Sequence, residues 1–551
     1  MKILILGGYG VFGGRLAQLL KDEPGITMMI AGRNLQKAKQ FCAKFQGAAQ
    51  LEPLHLDRKD VPQKLSQFAP DLLVDASGPF QEYGDATYDV IEACIAHRIN
   101  YLDFADGADF VFGVSRFDES AKEAGIYVLA GVSSFPVLTA AVLREIAKKI
   151  DIESVTGGIA PSPYAGIGLN VMRAVVGYAG SAVKLTRNGK QAEGIGLAES
   201  RRYTIAVPGK LPLRNIHFSL VDVPDLQVLP PLHPQLRDIW MGAGPVPEIL
   251  HRILNLLAKA RHKLHLPSLV PLAPFFYRIL NLMKFGEHRG GMFIHARGKR
   301  GGIEQDVSWH LLAEGDDGPF IPSMAIEGIV RKAIEGSFPA AGARPATDAL
   351  ELRDYEQLFA RRTIYTGMRE EVGKAQLYPS VLGSAFCDLP SKVRQLHNSG
   401  ESSRWSGIAT VKRGKSPFAH IIAAIMGFPK AAENTPVVVD FKCDEKGELW
   451  TRKFGDQSFS SFQKRGTARA THLITERFGL ASVDLAAVIE DDRLLLIPRR
   501  FSVLGIPMPG FLLPKGTSYE TEKDGKFVFN VEVSLPIIGP VVTYQGQLDQ
   551  E

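Results

Sequence analysis

The sequence predicts an α/β fold with an N-terminal doubly wound parallel sheet, an α+β second domain and a mainly antiparallel C-terminal β domain. An apolar run, a glycine-rich turn and a helical segment follow one another at the start of the chain. Short apolar runs then alternate with helical segments to about residue 136. From about residue 371, strand-like runs separated by turns replace this alternation. We therefore expect domains at 1–136, 137–370 and 371–551.

Size and charge set the first limits on function. With 551 residues, the chain is too long for one hydrophobic core, so several domains are expected. The net charge of +5 is mild for this size, and the sequence has neither a zinc-finger spacing nor an aromatic-basic RNA-binding motif. We therefore expect a small-molecule substrate and no nucleic-acid partner.

Cysteine usage and hydropathy bear on location. No C-x-x-C pair occurs among the four cysteines, Cys42, Cys94, Cys387 and Cys443. This disfavours a disulfide scaffold and a structural zinc site, and it fits a reducing compartment. The first apolar run is too short for a signal peptide, and the longest uncharged stretches are broken by Gly, Ser and Pro. We expect a cytoplasmic protein with no metal site.

The start of the chain has the pattern of a phosphate-binding loop. Ile3–Leu6 predicts a buried strand, and residues 15–20 continue with helical periodicity. The glycines between these two segments follow the spacings Gly7-x-x-Gly10-x-x-Gly13 and Gly8-x-Gly10-x-x-Gly13. They allow a tight turn, a close approach of the backbone to a pyrophosphate and free N–H groups at the helix start. A glycine turn without a ligand is the alternative. The predicted binding loop comprises Gly7, Gly8, Tyr9, Gly10, Val11, Phe12 and Gly13.

The end of the second predicted strand, Ile26–Ala31, bears on the choice of cofactor. A fold that prefers NAD places an acid here to hold the ribose 2′-hydroxyl. This chain has Arg33 and Asn34 instead, and an arginine can pair with a 2′-phosphate and stack on adenine. We expect NADP(H), with an exposed surface arginine as the alternative. Asp57, at the end of the third predicted strand Leu54–Asp57, is placed to meet the adenine or to be solvated.

Three further strands are predicted at Asp71–Asp75, Asn100–Asp103 and Ile126–Ala130. Five segments around these strands carry a family resemblance: GGYGVFGG (7–14), Arg33, VDASGPFQEYG (74–84), NYLDFADG (100–107) and AGVSSFPVLTAAVL (130–143). In this order they resemble the NADP-binding domain of saccharopine dehydrogenase-like oxidoreductases. The resemblance implies a Rossmann-like fold whose turn after strand four lines the cofactor through Ser77, Gly78, Pro79 and Phe80.

The resemblance departs from the family pattern after strand five. Tyr101 and Asp103 match the family's Tyr-x-Asp motif, but Ala105-Asp106-Gly107 stand where the family has a Gly-Glu pair. No catalytic acid or base stands out. Asp103 and Ser134 are candidates because they follow strand ends, where ligands of such sheets lie. His288 is a candidate for its chemistry alone, with a solvated loop as the alternative.

The middle of the chain predicts an α+β domain, which in the resembling family serves substrate binding and dimerisation. We expect a strand at Thr156–Ala160, a helix at Gly168–Tyr178, paired strands at Phe293–Gly298 and Val307–Leu312 around Gly301-Gly302, a linker at Pro339–Pro345 and a helix at Leu350–Arg361 that returns to the first domain.

The segment Ile249–Leu264 predicts the clearest amphipathic helix, and a second apolar segment follows it to Met283. The apolar side comprises Ile249, Leu250, Ile253, Leu254, Leu257, Ala260 and Leu264. A basic amphipathic helix of this kind can lie on a membrane surface, cover a sheet or contact a dimer partner. Peripheral membrane contact through 249–285 and formation of a homodimer are therefore alternatives that the sequence leaves open.

The C-terminal runs Val437–Phe441, Leu449–Phe454, Arg493–Ile497 and Phe527–Val533 predict an antiparallel sheet or barrel. This part resembles the domain of unknown function DUF4166 at Trp450-x-Arg452-x-Phe454-Gly455, Phe478-Gly479, Gly505-Ile506-Pro507-x-Pro509, Leu535-Pro536 with Gly539, and Tyr544-x-Gly546. Trp450, Arg452 and Tyr544 are expected to serve packing, with a pocket wall as the alternative.

Two functions follow from these patterns. The first is an NADP(H)-dependent oxidoreductase that moves a hydride to or from a small carbonyl, imine or alkene substrate. The second is a non-catalytic NADP(H)-binding module whose C-terminal domain binds an apolar ligand or a membrane surface. Substrate turnover and lipid binding discriminate between them.

Overall fold

Two units make up the chain in the computed structural model, which describes residues 1–80, 83–166, 168–245, 247–282, 284–370, 376–398 and 400–551. The first unit comprises Met1–Arg201 and His217–Tyr365, and the second comprises Arg202–Ile216 and Thr366–Glu551. No helix among these residues is both long enough and apolar enough to cross a membrane.

The first unit begins with a seven-stranded sheet in which every pairing is parallel. Its first six strands are β1 (Lys2–Leu6), β2 (Thr27–Gly32), β3 (Gln50–His55), β4 (Leu72–Asp75), β5 (Asn100–Asp103) and β6 (Tyr127–Ala130). The helices are α1 (Val11–Leu19), α2 (Leu35–Lys44), α3 (Val61–Phe68), α4 (Asp89–His97), α5 (Ala108–Gly113), α6 (Asp118–Ala124) and α7 (Thr139–Ala147). The strand order β3-β2-β1-β4-β5-β6 confirms the predicted doubly wound fold.

Burial explains which strands the sequence predicts well. The side chains of β1 and β4 are almost completely buried, because helices cover both faces of a parallel sheet and most residues of its strands are apolar. The edge strand β3 is mostly exposed, so its sequence lacks such a run. The predicted third strand was wrong for this reason: β3 ends at His55, and Asp57 lies beyond it.

The rest of the first unit is built on a mixed sheet. The strands of this region are β7 (Asp151–Ala160), β8 (Ala182–Arg187), β9 (Lys190–Ile195), β10 (Ser200–Tyr203), β11 (Ile216–Leu220), β12 (Asp238–Ala243), β13 (Arg289–Arg300) and β14 (Ile303–Glu314). Of these, β8 and β9 form a separate two-stranded hairpin. The helices of this region are α8 (Leu169–Tyr178), α9 (Asp225–Val228), α10 (Glu248–Leu264) and α11 (Ala273–Leu282). The order is β11-β12-β7-β13-β14, with β12 parallel to β7 and the other neighbours antiparallel.

The predicted hairpin around Gly301-Gly302 is confirmed. Arg300 pairs with Ile303, so only the two glycines form the turn between β13 and β14. Their φ angles of +57° and +84° belong to the left-handed region, which a two-residue hairpin of this twist requires.

The predicted linker Pro339–Pro345 was wrong. After α12 (Ile321–Ile334), β15 (Gly342–Pro345) pairs in parallel with β6 and becomes the seventh strand of the first sheet. A four-residue edge strand of this composition has no apolar run by which sequence could identify it. The chain then continues through α13 (Leu352–Phe359) and β16 (Ile364–Glu370).

The side of helix α10 that faces the protein combines polar and apolar residues. His251, Asn255 and Ala258 are its buried residues. The Asn255 amide nitrogen donates to the Leu197 carbonyl at 2.7 Å and to the Ser219 hydroxyl at 2.9 Å. Ile253, by contrast, is 49% exposed. The interpretation that the predicted apolar side covers the sheet is therefore wrong for its outermost members, Ile249, Ile253 and Leu264, which are exposed.

The second unit contains a closed antiparallel barrel, which confirms the predicted antiparallel C-terminal domain. Its strands are β17 (Ser402–Arg413), β18 (Ala432–Asp444), β19 (Gly447–Phe454), β20 (Gln457–Arg465), β21 (Ile474–Phe478), β22 (Ala481–Glu490), β23 (Arg493–Val503), β24 (Ile506–Pro507), β25 (Tyr519–Lys523), β26 (Lys526–Leu535) and β27 (Gly539–Gln550). Its helices are α14 (Leu377–Leu382), α15 (Ser391–His397) and α16 (Pro417–Ile425). Pairing of β22 with β23 closes the barrel, and β24 extends beside β23.

Candidate functional site

The glycine loop between β1 and α1 is closed against backbone on two sides. Gly7 has φ of +73°, and a Cβ there would lie 2.5 Å from the Ala76 carbonyl oxygen. A Cβ on Gly13 would lie 2.6 Å from the Gly7 carbonyl oxygen. Gly10 is the N-cap of α1 and offers no side-chain partner to the first helical turn. The loop therefore holds the start of α1, with its unpaired N–H groups, close to the sheet, as a bound phosphate requires.

Tyr9 connects this loop to the end of β2. Its hydroxyl oxygen accepts a hydrogen bond from the Asn34 backbone N–H at 3.0 Å. Its ring occupies the space where a Cβ of Gly32 would stand, 2.4 Å from that position. Asn34 also caps α2, accepting from the Lys37 N–H at 3.0 Å. Arg33 lies between these fixed residues with its side chain exposed, at the edge where an adenosine 2′-phosphate would lie.

A buried ion pair supports the turn after β4. Asp75 is fully buried and accepts from Arg58 Nε at 3.2 Å. The other oxygen of Asp75 accepts from the backbone N–H of Ser77 at 3.0 Å. The Arg58 guanidinium lies 3.7 Å from the centre of the Tyr83 ring. These contacts fix the backbone of the turn predicted to line the cofactor; its residues 81 and 82 lie outside the described part of the chain.

Two neighbouring cavities meet at the start of α1. The first, the glycine-loop cleft, is bordered by the glycine loop, the turn after β4 and the start of α8. Its described lining includes the predicted Gly10, Val11, Phe12, Gly78, Pro79 and Phe80. The second, the Ser134 cavity, is bordered by α1, the ends of β7, β13 and β14, and the start of α12. Val11, Phe12, Gly168 and Val171 line both cavities, which are therefore adjacent.

The Ser134 cavity has an apolar wall with few polar side chains. Among its described lining residues, only Arg15, Ser134 and Ser162 carry polar side chains. Arg15 Nη2 donates to the Ala165 carbonyl at 3.3 Å, and burial lowers the pKa of its guanidinium. An arginine partly withdrawn from water and bordering an apolar cavity is suited to bind a carbonyl or carboxylate oxygen. Sequence reasoning missed Arg15; its position just after the glycine loop was the available signal.

The structure separates the three catalytic candidates. Ser134 lines the Ser134 cavity. Asp103 is fully buried, where its Oδ1 accepts from the backbone N–H groups of Ala105 at 2.9 Å and Gly131 at 2.7 Å. Burial raises the pKa of Asp103 to about 7. Asp103 therefore connects β5 to the loop after β6, and it is absent from the described lining of both cavities.

His288 and Asp57 lie at the periphery. His288 is exposed, with its ring 4.5 Å from that of Tyr164 and its Nε2 3.5 Å from Asp316 Oδ1. It is not among the described residues that line either cavity. Asp57 caps the turn after β3, where its Oδ1 accepts from the Lys59 N–H at 3.4 Å. No group of three or more metal-binding side chains occurs in the described ranges.

Two family models match separate parts of the chain. Residues 3–129 match the saccharopine dehydrogenase NADP binding domain. The N-terminal domain is a nicotinamide dinucleotide-binding domain. Residues 389–548 match the domain of unknown function DUF4166. Both resemblances predicted from the sequence are confirmed, and the first match supports an NAD(P)-dependent oxidoreductase with a small-molecule substrate.

A search of solved structures found matches of low identity. Apo saccharopine dehydrogenase (L-Glu forming) from Saccharomyces cerevisiae is 12% identical, with a TM-score of 0.46, over 67% of this chain and 100% of that one. Amine dehydrogenase from Mycobacterium smegmatis is 12% identical, with a TM-score of 0.33, over 64% and 96%. A dehydrogenase from Thermus thermophilus solved with NAD and α-ketoglutarate is 12% identical, with a TM-score of 0.27, over 66% and 93%. Comparison with curated proteins gave no match.

Proposed function

We propose that this protein is an NADP(H)-dependent oxidoreductase that acts on an apolar substrate bearing a carbonyl, imine or alkene group. The observation that carries the proposal is the adjacency of the two cavities. The glycine-loop cleft suits a dinucleotide, and the apolar Ser134 cavity begins at the same Val11 and Phe12. When bound, the cofactor supplies or accepts a hydride at this junction.

The residues of the glycine loop and of the end of β2 suit NADP(H) in particular. The glycine loop presents the N–H groups of α1 to the pyrophosphate. Arg33 is placed to pair with the 2′-phosphate, and no acid stands beside it in the sequence to repel that group. The turn around Gly78 and Phe80 forms the wall beside the ribose and nicotinamide.

The Ser134 cavity sets the substrate class. Its apolar wall binds a hydrocarbon body, and Arg15 binds one oxygen of the substrate and holds it at a fixed orientation. Two hydroxyls, those of Ser134 and Ser162, belong to the described lining, and Ser134 is our candidate to donate or accept a proton at the reacting group. Reduction of a polarised double bond requires a hydride, a proton and stabilisation of the negative charge that develops on the bound oxygen. In this proposal the Arg15 guanidinium stabilises that charge.

The test combines cofactor binding with turnover by the full chain. NADPH binding is measured by fluorescence, and NADPH oxidation is followed with a panel of apolar ketones, imines and conjugated alkenes. Ala165→Trp fills the Ser134 cavity, so we expect it to lower turnover by at least about tenfold while leaving NADPH affinity unchanged. Ala360→Trp, at an exposed position, is the matched control. Absence of NADPH binding refutes the proposal; NADPH binding without turnover favours the non-catalytic module.

A second function is favoured by the outer surface of α10 and α11. The α10–α11 surface exposes Ile249 (64%), Ile253 (49%), Leu256 (67%), Phe275 (58%) and Leu282 (81%). Arg252, Lys259 and Lys263 flank the α10 stripe. Between residues 248 and 285, Glu248 is the single acid against six lysines and arginines.

We propose that this surface docks on an anionic membrane facing the cytoplasm. Basic side chains beside an exposed apolar stripe match an anionic headgroup layer over hydrocarbon. We expect sedimentation with vesicles of phosphatidylglycerol and phosphatidylcholine, and at least about tenfold weaker binding for Ile253→Asp combined with Leu256→Asp. Ile303→Asp is the control, since Ile303 is 69% exposed at the start of β14 and is not part of this surface. A homodimer that the double variant dissociates, with no vesicle binding by either form, overturns this proposal.

A further inference from the structure

The interior of the C-terminal barrel is not filled by its own side chains. A cavity of about 190 Å³ lies inside the barrel. Trp450, Phe441 and Tyr544 line it and are almost completely buried. Val483, Phe501 and Val531 also line it but are only partly buried, because they border open space rather than neighbouring side chains. A ten-stranded barrel is wide enough to hold a ligand inside its wall.

A buried polar cluster faces this apolar cavity. Arg452 Nη1 donates to the Ser461 hydroxyl at 2.8 Å, and that hydroxyl donates to Glu476 Oε1 at 2.6 Å. Arg452 Nη2 lies 3.5 Å from the same carboxylate oxygen. Arg452 is 9% exposed and Glu476 is 6% exposed, and both line the cavity. Arg452 and Glu476 neutralise each other, and Glu520, a second buried carboxylate in the lining, is hydrogen-bonded to His397 Nε2. A ligand with a net charge would therefore leave its charge unbalanced in an apolar site.

The cluster retains hydrogen-bond donors for a ligand. Of the five N–H groups of Arg452, these contacts use two. Gln463, a further lining residue, accepts from the Tyr378 hydroxyl through Oε1 at 3.0 Å, and its amide nitrogen is a donor. Burial raises the pKa of the lining Tyr544 to about 12, so its hydroxyl also stays protonated. The group recognised here is therefore a neutral acceptor oxygen.

The two ends of the barrel differ in character. At the end where β23 leaves the barrel and β26 turns into β27, the side chains of Leu480, Leu504, Ile506, Phe511 and Ile537 are each at least 62% exposed. Three connections at the opposite end, at 444–447, 490–493 and 523–526, are made of charged residues and glycine. We name the five exposed side chains the apolar rim.

Helix α16 follows β17 at the same end as the apolar rim. Ile422 and Met426 line the cavity, whereas Phe418 and Ile425, on the outer side, are 68% and 74% exposed. The helix is thus apolar toward both the cavity and the exterior. An exposed apolar mouth of this kind marks a route for a poorly soluble molecule.

We propose that the barrel is a binding site for a neutral, lipid-like molecule with a long apolar body and one oxygen-containing group. The body fills the barrel cavity, the oxygen accepts hydrogen bonds from Arg452 and Gln463, and the molecule enters past the apolar rim and α16. This assignment does not depend on the proposed oxidoreductase.

The experiment uses the full-length protein and the neutral fluorophore N-phenyl-1-naphthylamine. We expect its fluorescence to rise on binding and hexadecan-1-ol to displace it at a concentration at least about tenfold lower than hexadecanoate or hexadecylamine. Val483→Trp fills the cavity and weakens binding at least about tenfold, whereas Ile408→Trp, at a site 51% exposed, leaves it unchanged. Ala165→Trp in the first unit also leaves it unchanged.

A charge variant tests the recognition of a neutral group. Glu476→Gln removes the negative partner of Arg452, so we expect hexadecanoate to gain at least about tenfold over hexadecan-1-ol while the fluorophore binds as before. Failure of the fluorophore to bind the wild-type chain, or binding by Val483→Trp equal to wild type, overturns the site. Equal competition by alcohol and anion in the wild-type chain overturns the neutral ligand class.

Discussion

Replacement of Arg33 by alanine tests the cofactor assignment at a single side chain. Arg33 follows β2. The next residue, Asn34, donates its backbone N–H to the Tyr9 hydroxyl and is the N-cap of α2, which fixes the backbone beside Arg33. Its side chain is exposed and is not needed to close the core. Arg33→Ala therefore removes a cation next to the end of β2 and leaves the fold intact, so a change in affinity reports the lost contact.

The magnitude follows from charge and exposure. Two unit charges 4 Å apart in water attract by about 1 kcal/mol. A phosphate monoester carries a charge of about −1.5 to −2 at neutral pH, so an exposed guanidinium contributes about 2 kcal/mol. This corresponds to about thirtyfold in affinity, within a range of about tenfold to hundredfold when the geometry of the hydrogen bonds is included.

The assay is a parallel fluorescence titration of the wild-type chain and the variant with NADPH and NADH. We expect the wild type to prefer NADPH by that factor and the variant to bind the two nucleotides about equally. Raising the ionic strength should narrow the wild-type preference, since an exposed ion pair is screened. Lys44→Ala, in the last turn of α2, is the control and should keep the preference. A wild-type preference that survives in Arg33→Ala refutes the role of Arg33.

Three further perturbations test the scaffold of the site. Gly13→Ala places a methyl group 2.6 Å from the Gly7 carbonyl oxygen, so we expect NADPH titration to show at least about tenfold weaker binding and a lower melting temperature. For Asp103, burial raises the pKa from 3.8 to about 7. The folded chain then keeps a proton that the unfolded chain releases, and stability falls as pH rises from about 4 to 7. The asparagine in Asp103→Asn does not titrate, so the variant avoids this loss. Thermal unfolding should show that its free energy of unfolding exceeds that of the wild type by an amount that grows with pH to about 4 kcal/mol above pH 7. The Arg331 guanidinium donates hydrogen bonds to Glu327 Oε1 at 3.0 Å and to the Leu19 carbonyl at 2.9 Å. Arg331→Ala leaves the Glu327 carboxylate buried without its partner, and urea unfolding should show a loss of about 3 kcal/mol.

For each of these three substitutions, one result would contradict the reasoning. Gly25→Ala, where a Cβ meets nothing within 4 Å, should be silent, and an equal effect there would contradict the steric argument for Gly13. A pH-independent difference between Asp103→Asn and wild type would contradict the raised pKa. An effect no larger than that of Arg353→Ala, at an exposed position, would show that the Arg331 contacts contribute little.

The local features of the nucleotide half were available from the sequence. Strands β1 and β4 contain the apolar runs Ile3–Leu6 and Leu72–Val74 because both of their faces are buried, and that pattern is visible in a single segment. The spacing of Gly7, Gly10 and Gly13 is likewise local, since each glycine is required by backbone only a few residues away or at the next strand end. Prediction was weaker at the edges: β3 and β15 are short or exposed and carry no comparable signal.

Only the tertiary structure decided what surrounds these segments. Arg15 borders the Ser134 cavity beside Ala165, a residue 150 positions away, and no local pattern encodes that contact. Trp450 and Arg452, expected to serve packing, line the barrel cavity because β22 and β23 close the sheet around it. The side of α10 that faces the protein was decided in the same way. Periodicity identifies an apolar stripe, but the hydrogen bonds of Asn255 determine which side is buried, and these form only when distant strands are in place.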